Sequence, residues 1–267
     1  MFEEIKIGCS SSGSKYGTRL DTTIVKLEKK AIWSGLFTSN KFKSAPVEIC
    51  LEKINKNISE PKILMINAGN ANAATGKKGK KDSEKLIDEV SRLLNVSKDN
   101  ILPFSTGVVG ELLDTKKLSQ AFKKCTDQIG KSSWKDFANA IMTTDTRHKI
   151  VQRKFTIGNQ KVNVIGIAKG VGMIEPNMAT TLSFVFTDLK LSKTQLKRLH
   201  KDICDQTFNA ISIDGDQSPS DSSIFASTSE KKGDIEKYYN KIKDNFFEVF
   251  RELAEQLVLD GDGATKL

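Results

Sequence analysis

Short runs of branched and aromatic residues alternate along this chain with stretches whose apolar residues recur every three or four positions, and that alternation restricts it to a mixed fold. Strands are predicted over Thr22 to Leu27, Ile32 to Phe37, Ile63 to Asn67, Phe155 to Ile157, Val162 to Ile167, Leu182 to Phe186 and Ser223 to Ala226, because such side chains suit a pleated, half-buried surface. Gly158 and Asn159, between two of these runs, read as a hairpin turn. A helix capped by Asp82 or Ser83 would carry Leu86, Ile87, Val90, Leu93 and Leu94 on one face and end at Asn95. Leu118, Phe122 and Cys125 mark a second helix, and Leu196, Leu199 and Ile203 a third. Phe246, Val249, Phe250, Leu253 and Leu257 form an apolar stripe wide enough to demand a partner surface. The class that follows is α/β with α+β mixing, without an internal repeat, and with the polar stretch Thr228 to Asp234 as the candidate flexible tip.

Composition narrows the classes further. With 267 residues, 38% hydrophobic and 28% charged, the chain can bury a proper core and is neither disordered nor fibrous. Its four cysteines, Cys9, Cys50, Cys125 and Cys204, are scattered without a Cys-x-x-Cys pair, which argues against a zinc site and for packing roles in a reducing cytoplasm. The start Met-Phe-Glu-Glu-Ile-Lys carries no secretory signal, and no window is long and apolar enough for a membrane span. The net charge of +9 reads as a lysine-rich surface, since the lysines lack the interleaved aromatics and the motifs of a nucleic-acid module. A basic field of this kind would still help to capture small anions.

Chemistry concentrates in the segment from Lys169 to Asp188. Glycines and Pro176 forbid a regular helix up to Asn177, and a β-rich run follows, so Thr180 stands where an irregular loop enters a strand. A threonine hydroxyl needs a neighbouring base, and a free α-amine on the same residue supplies one if the bond before it is cut. Two readings therefore stand on the residues alone: a plain strand start, or self-cleavage at Ala179-Thr180. With only two histidines, His148 and His200, a Ser-His-Asp triad or a histidine-based metal site is poorly supplied, so a carboxylate, a lysine or an amine must carry acid–base work. Three polar, glycine-rich stretches, Asn67 to Gly76, Phe104 to Glu111 and Ile213 to Ser222, offer backbone N–H groups of the kind that line an oxyanion hole. None matches a phosphate-loop or dinucleotide pattern.

Taken in order, Gly35 to Asn40, Ala45-Pro-Val47, Asn67 to Ala73, Ser105-Thr-Gly-Val-Val-Gly-Glu111, Met142-Thr-Thr-Asp-Thr146, Lys169 to Thr180, Asp214-Gly-Asp216 and Asp260-Gly-Asp-Gly-Ala-Thr-Lys266 resemble the ornithine acetyltransferase family. This family is also called the bifunctional glutamate N-acetyltransferase, or ArgJ, family of arginine biosynthesis, and the resemblance spans essentially the whole chain. It implies the ArgJ/DmpA-like self-processing fold, with a precursor cut into two associated regions, 1–179 and 180–267, as a heterotetramer. It implies Thr180 as nucleophile, Thr106 and Gly107 as the oxyanion hole, and Thr143, Lys169, Thr180 and Asp262 as substrate-contacting positions. The substrates would be N-acetylornithine and glutamate, with acetyl-CoA as a second donor in part of the family, and neither a cofactor nor a metal, nucleic acid or membrane as partner. Loss of one oxyanion donor typically costs on the order of 10²–10³ in rate.

The chain departs from the family pattern in two places. Asp262 stands where a glutamate is usual, one methylene shorter. Family members also continue well past the Ala-Thr-Lys motif, whereas this sequence stops at Leu267, so the expectation is a fold incomplete at the C-terminus. A fragment, a separately encoded remainder or a degenerate relative would each expose an apolar face where that tail packs. An amidohydrolase or aminopeptidase on a related self-cleaving scaffold, and an inactive truncated fragment, are the alternative functions.

Overall fold

The β-rich runs sort into two sheets, one in each of two units of the chain. The structure, a computed structural model, describes residues 2–56, 62–174, 181–261 and 263. One unit comprises Glu3–Lys29 and Asn40–Thr143, the other Met1–Phe2, Lys30–Ser39 and Thr144–Leu267.

The first unit holds β1 (Ile5–Ser10), β2 (Thr22–Leu27), β4 (Lys62–Asn70) and β5 (Ile101–Val108), ordered β1-β2-β4-β5. The first two pairings are antiparallel, whereas β4 and β5 run parallel. Helices α1 (Ala45–Lys53), α2 (Gly76–Leu94), α3 (Thr115–Asp127) and α4 (Trp134–Ala140) complete the unit. Alternate residues of the strands, Ile24, Ile63, Met65 and Ile101, meet Ile49, Leu86, Ile87, Val90 and Phe122 of the helices in one core, as the two-residue period of a strand requires. Pro103 lies in β5, a sheet edge, where its missing N–H costs no ladder bond.

The second unit carries β3 (Ile32–Phe37), β6 (Lys149–Ile157), β7 (Gln160–Lys169), β8 (Leu182–Leu189) and β9 (Ser222–Lys231), ordered β3-β9-β8-β7-β6. Only the β8–β9 pair is parallel. Helices α5 (Lys193–Cys204) and α6 (Tyr239–Leu259) share its core, with Leu196, Leu199 and Ile203 of α5 and Phe246, Val249, Phe250, Leu253 and Leu257 of α6. Ser192 opens α5 with a capping box closed by Gln195. Phe225 of β9 meets Phe246 edge-on at 5.1 Å between ring centroids, a favourable aromatic geometry.

Each predicted strand is present, and the hairpin joins β6 to β7 through Gly158 and Asn159. Asn95 ends α2 in the left-handed conformation with φ 50°. The start of that helix needs correction: it begins at Gly76, and the Ser83 hydroxyl is not a cap but accepts a hydrogen bond from Asn72 Nδ2 at 2.8 Å. Leu93, assigned to the apolar face, is turned to solvent. The strand β9 reaches Lys231, into the stretch expected as a flexible tip. All four cysteines are buried and unpaired; burial pushes the Cys9 thiol up to about 11 and raises the other three as well. Among the described residues no helix is long and apolar enough to cross a membrane. Exposed large apolar side chains include Phe42, Leu51, Val109 and Leu112 in the first unit and Met173 and Leu259 in the second.

Candidate active site

In the first unit, Thr106 and Gly107 end β5 beside the end of its parallel neighbour, with Ala68 opposite Thr106 and Gly69 opposite Gly107. The carboxyl ends of adjacent parallel strands are where an open α/β sheet presents ligands. Gly107 has φ 127°, and a Cβ there would lie 2.4 Å from the carbonyl carbon of Gly69, so only glycine lets the two strand ends converge. A bulge at Asn70 follows, and side chains lock it. Asn67 accepts from the Ser105 hydroxyl at 2.7 Å and donates to the Asn70 carbonyl at 2.9 Å. Asn70 Nδ2 donates to the carbonyls of Glu111 and Leu112 at 3.1 and 3.2 Å. Backbone bonds from Ala71 N–H to Val108 and from Gly110 N–H to Ala73, both 2.9 Å, finish the weave. The first two polar stretches of the sequence are therefore one rigid loop pair, with exposed Val109 and Leu112 beside it. Thr143 lies after α4, where Arg19 donates to the carbonyls of Met142 and Thr143 at 2.7 and 3.4 Å while stacking on Tyr16 at 3.6 Å.

In the second unit, Lys169 closes β7 and is buried. Burial pushes its ammonium pKa down; Asp145 draws it back up, Lys149 adds to the lowering, and Asp221 opposes it. Asp145 accepts from Lys149 Nζ at 2.7 Å and from the Gly170 N–H at 2.8 Å. Lys149 also donates to Asp260 at 2.7 Å, and Asp260 in turn accepts from the N–H of Thr146 at 3.1 Å and from its hydroxyl. Burial alone would raise both carboxyls, but the Lys169 and Lys149 charges at Asp145, and the Lys149 and Thr146 hydrogen bonds at Asp260, outweigh it and hold both below the usual range.

The third polar stretch holds both ends of the segment that contains Ala179-Thr180. Asp214 accepts from the N–H groups of Met173 and Ile174, the latter at 2.9 Å, and Ile213 N–H donates to Ile174 at 2.8 Å. Asp221 accepts from the N–H of Thr181, and Ser222 N–H donates to the Thr181 carbonyl at 3.0 Å. Burial pushes the Asp221 carboxyl well above its ordinary value, with Thr181 and Lys169 pulling the other way. Ala179, Thr180 and Asp262 themselves lie outside the described residues. Sequence reasoning did not single out Arg19, Asp145, Lys149, Asp221 or Asp260 individually, although Asp145, Asp221 and Asp260 fall inside stretches it marked. Of the histidines, His200 is a core residue whose ring nitrogens lie 3.0 and 2.8 Å from the hydroxyls of Ser34 and Ser223, and burial pushes it down to about 3. Among the described residues no group of three His, Cys, Asp or Glu could hold a metal ion.

The profile of the ArgJ family matches residues 6–267. The chain belongs to the ArgJ family. It is 36% identical over 276 residues to the arginine biosynthesis bifunctional protein ArgJ of Colwellia psychrerythraea, an alignment covering 98% of this chain and 65% of that protein. The chain thus spans about 65% of the length of the curated relatives it matches. Among solved structures it is similar to the ornithine acetyltransferase of Mycobacterium tuberculosis complexed with ornithine, with TM-score 0.59 and 27% identity over 65% of this chain and 92% of that one. A likeness of fold extends to the L-aminopeptidase D-Ala-esterase/amidase of Ochrobactrum anthropi, described as a variant of the Ntn hydrolase fold. There the TM-score is 0.54 at 11% identity, over 97% of this chain and 85% of that one. The mixed α/β class expected from the sequence, in its ArgJ form, is the fold observed.

Proposed function

We propose that this ArgJ-family chain cuts itself at Ala179-Thr180 and transfers acetyl from N-acetylornithine to glutamate through an ester on Thr180. The observation that carries this reading is the pair of carboxylates, Asp214 and Asp221, that fixes residues 173–174 and residue 181 on either side of the proposed cut. A nucleophile that must meet a carbonyl within a few tenths of an ångström needs such fixed ends. In the first half-reaction Thr180 Oγ attacks the acetyl carbon and its proton passes to the new α-amine. The carbon–nitrogen bond then breaks, and the proton leaves with ornithine. In the second, the glutamate amine attacks the ester and Oγ regains a proton as N-acetylglutamate departs. Thr106 and Gly107 stabilise both oxyanions, a role supported by the rigid loop pair that carries them. Thr143 and Asp262 contact substrate, and Lys169 binds the substrate carboxylate by charge-assisted hydrogen bonding, with Asp145 drawing its pKa back up against burial.

The two regions, 1–179 and 180–267, remain together as a heterotetramer in the cytoplasm, which suits four unpaired cysteines. Acetyl-CoA serves as an additional donor to glutamate. Intact-mass spectrometry tests the reading directly. Wild-type protein should give two chains, with an acetyl increment on 180–267 after N-acetylornithine; Thr180→Ala should stay uncut and inactive, and Thr181→Ala should still be processed. A single uncut chain without adduct would sink the enzyme. Deacetylation indifferent to added glutamate would mark an amidohydrolase instead.

A further inference from the structure

At one end of the sheet in the second unit, four strands reach the same level around Lys169. Lys149 of β6 pairs with Ala168 of β7, Lys169 pairs with Leu182 of β8, and Leu182 pairs with Ser222 of β9. Asp145 lies four residues before β6 and Asp221 immediately before β9, so a carboxyl approaches the β7 end from each flank. Lys169 is 4% exposed, and the charged or titratable groups acting on it are Asp145, Lys149 and Asp221. Burial and Lys149 work against its ammonium, and the two carboxyls work for it.

The two carboxyls are not equivalent. Burial pushes Asp221 well above its ordinary value, which favours its neutral form, and a neutral carboxyl gives an ammonium no counter-charge. At Asp145 burial is outweighed by the charges of Lys169 and Lys149 and by hydrogen bonds from Lys149 and the Gly170 N–H, so this carboxylate stays ionised. Asp145 also grips the main chain. It accepts the Gly170 N–H at 2.8 Å, one residue past Lys169, and Lys149 Nζ at 2.7 Å. Lys149 is held in turn by Asp260 at the end of α6, and Arg147 lies 3.9 Å from Asp260. A single carboxylate therefore fixes the backbone beside Lys169 and supplies its lasting counter-charge.

We propose that Asp145 is the positioning residue of Lys169: it anchors the chain at Gly170 and balances the buried ammonium, which is thereby held ready for the carboxylate of the amino-acid substrate. The inference rests on the reading of Lys169 as the group that binds this carboxylate. Without the Asp145 charge, burial and Lys149 would go on acting against the ammonium, and Lys169 would lose its proton at lower pH. A neutral amine forfeits the charge-assisted hydrogen bond that makes such a contact strong.

Two measurements on the full chain test this. Calorimetric titration with ornithine, which carries the carboxylate but no acetyl group to transfer, reads affinity across pH. NMR of protein labelled with ¹³C at lysine Cε reads the titration of Lys169, whose signal is the one missing from Lys169→Met. Asp145→Asn keeps an oxygen for the Gly170 N–H but no charge. Its Lys169 should titrate at lower pH than in the wild type, and ornithine should bind about 10–100-fold more weakly at neutral pH. Asp145→Glu should restore the titration and part of the affinity. Asp260→Asn takes a charge from Lys149 rather than from Lys169, so it should lower stability and leave the Lys169 titration in place, a difference that a purely structural role for Asp145 would not produce. An Asp145→Asn protein whose Lys169 titrates as in the wild type would overturn this inference alone, as would an equal shift in Asp260→Asn. Should Asp145→Asn not fold, Asp145→Glu decides, because full affinity with the carboxylate displaced by one methylene would overturn the positioning. A Lys169→Met protein that binds ornithine as tightly as the wild type, or a wild type that does not bind it, would overturn the reading of Lys169 and this inference together.

Discussion

At the scale of single residues, the ion cluster of Lys149 with Asp145 and Asp260 is the arrangement most sensitive to change. Lys149 has no exposed side chain, and its two carboxylate partners are nearly as enclosed. Removing one member of such a cluster leaves uncompensated charge in a weakly polar interior, so Lys149→Met should destabilise the protein by about 3–5 kcal/mol, measured by urea unfolding at neutral pH. The acid side follows from the same pair. Asp145 and Asp260 are held below their ordinary 3.8 in the folded chain, so their contribution is fully present above that value and is lost as pH falls through the depressed folded values. In Lys149→Met only part of the lowering is gone, because Lys169 and the Gly170 N–H still act on Asp145 and Thr146 still donates to Asp260. The loss of stability on acidification should therefore be smaller than in the wild type, as unfolding curves across the acid range would reveal. None of this was legible in the sequence, where Lys149 was one lysine among many and Asp145 a letter in a motif. The residues meet only when β6, β7 and the end of α6 are folded together.

At the scale of elements, legibility tracked local signal. Strands built from branched residues were read closely, β2 and β3 to the residue. Two others escaped because each breaks the usual pattern: β5 carries Pro103, tolerable only on a sheet edge, and β1 carries Gly8. That glycine is a tertiary requirement. A Cβ at Gly8 would sit 2.1 Å from the Cys125 carbonyl, so Gly8→Ala must push β1 and α3 apart at a cost of about 1–3 kcal/mol. Hydrogen exchange should then accelerate in α3 rather than in β9. The short helix α4 also escaped, although Ser133 and Asp136 form a full capping box at its start. Ser133→Ala should cost about 1 kcal/mol, seen as a lowered urea midpoint with unchanged slope. The first two polar loops were recognised as separate stretches. That they interlock through Asn67 and Asn70 depended on the parallel register of β4 and β5, which no spacing in the sequence encodes.

At the scale of the whole molecule, the surplus of basic residues is a surface property with exceptions that matter. Lys62, Lys149 and Lys169 are buried, and the last two stand at the candidate site. The family was legible because its motifs are loop sequences, fixed by chemistry and close backbone approach. The division into units was not, since Lys30–Ser39 leaves its sequence neighbours to join a sheet whose other strands come much later. In that sheet the order β3-β9-β8-β7-β6 places strands from before residue 180 on both sides of strands from after it. Cleavage at Ala179-Thr180 would therefore leave the two products joined through the β3–β9 and β7–β8 ladders, and they should co-elute in native gel filtration and separate only in denaturant. The interleaving also gives the molecule a history. An intact chain can restore the sheet from denaturant in a unimolecular step whose rate ignores dilution, whereas the cut pair must first find each other. Once the bond is gone, recovery after unfolding should slow in proportion to dilution, so that processing makes folding a one-way event under dilute conditions.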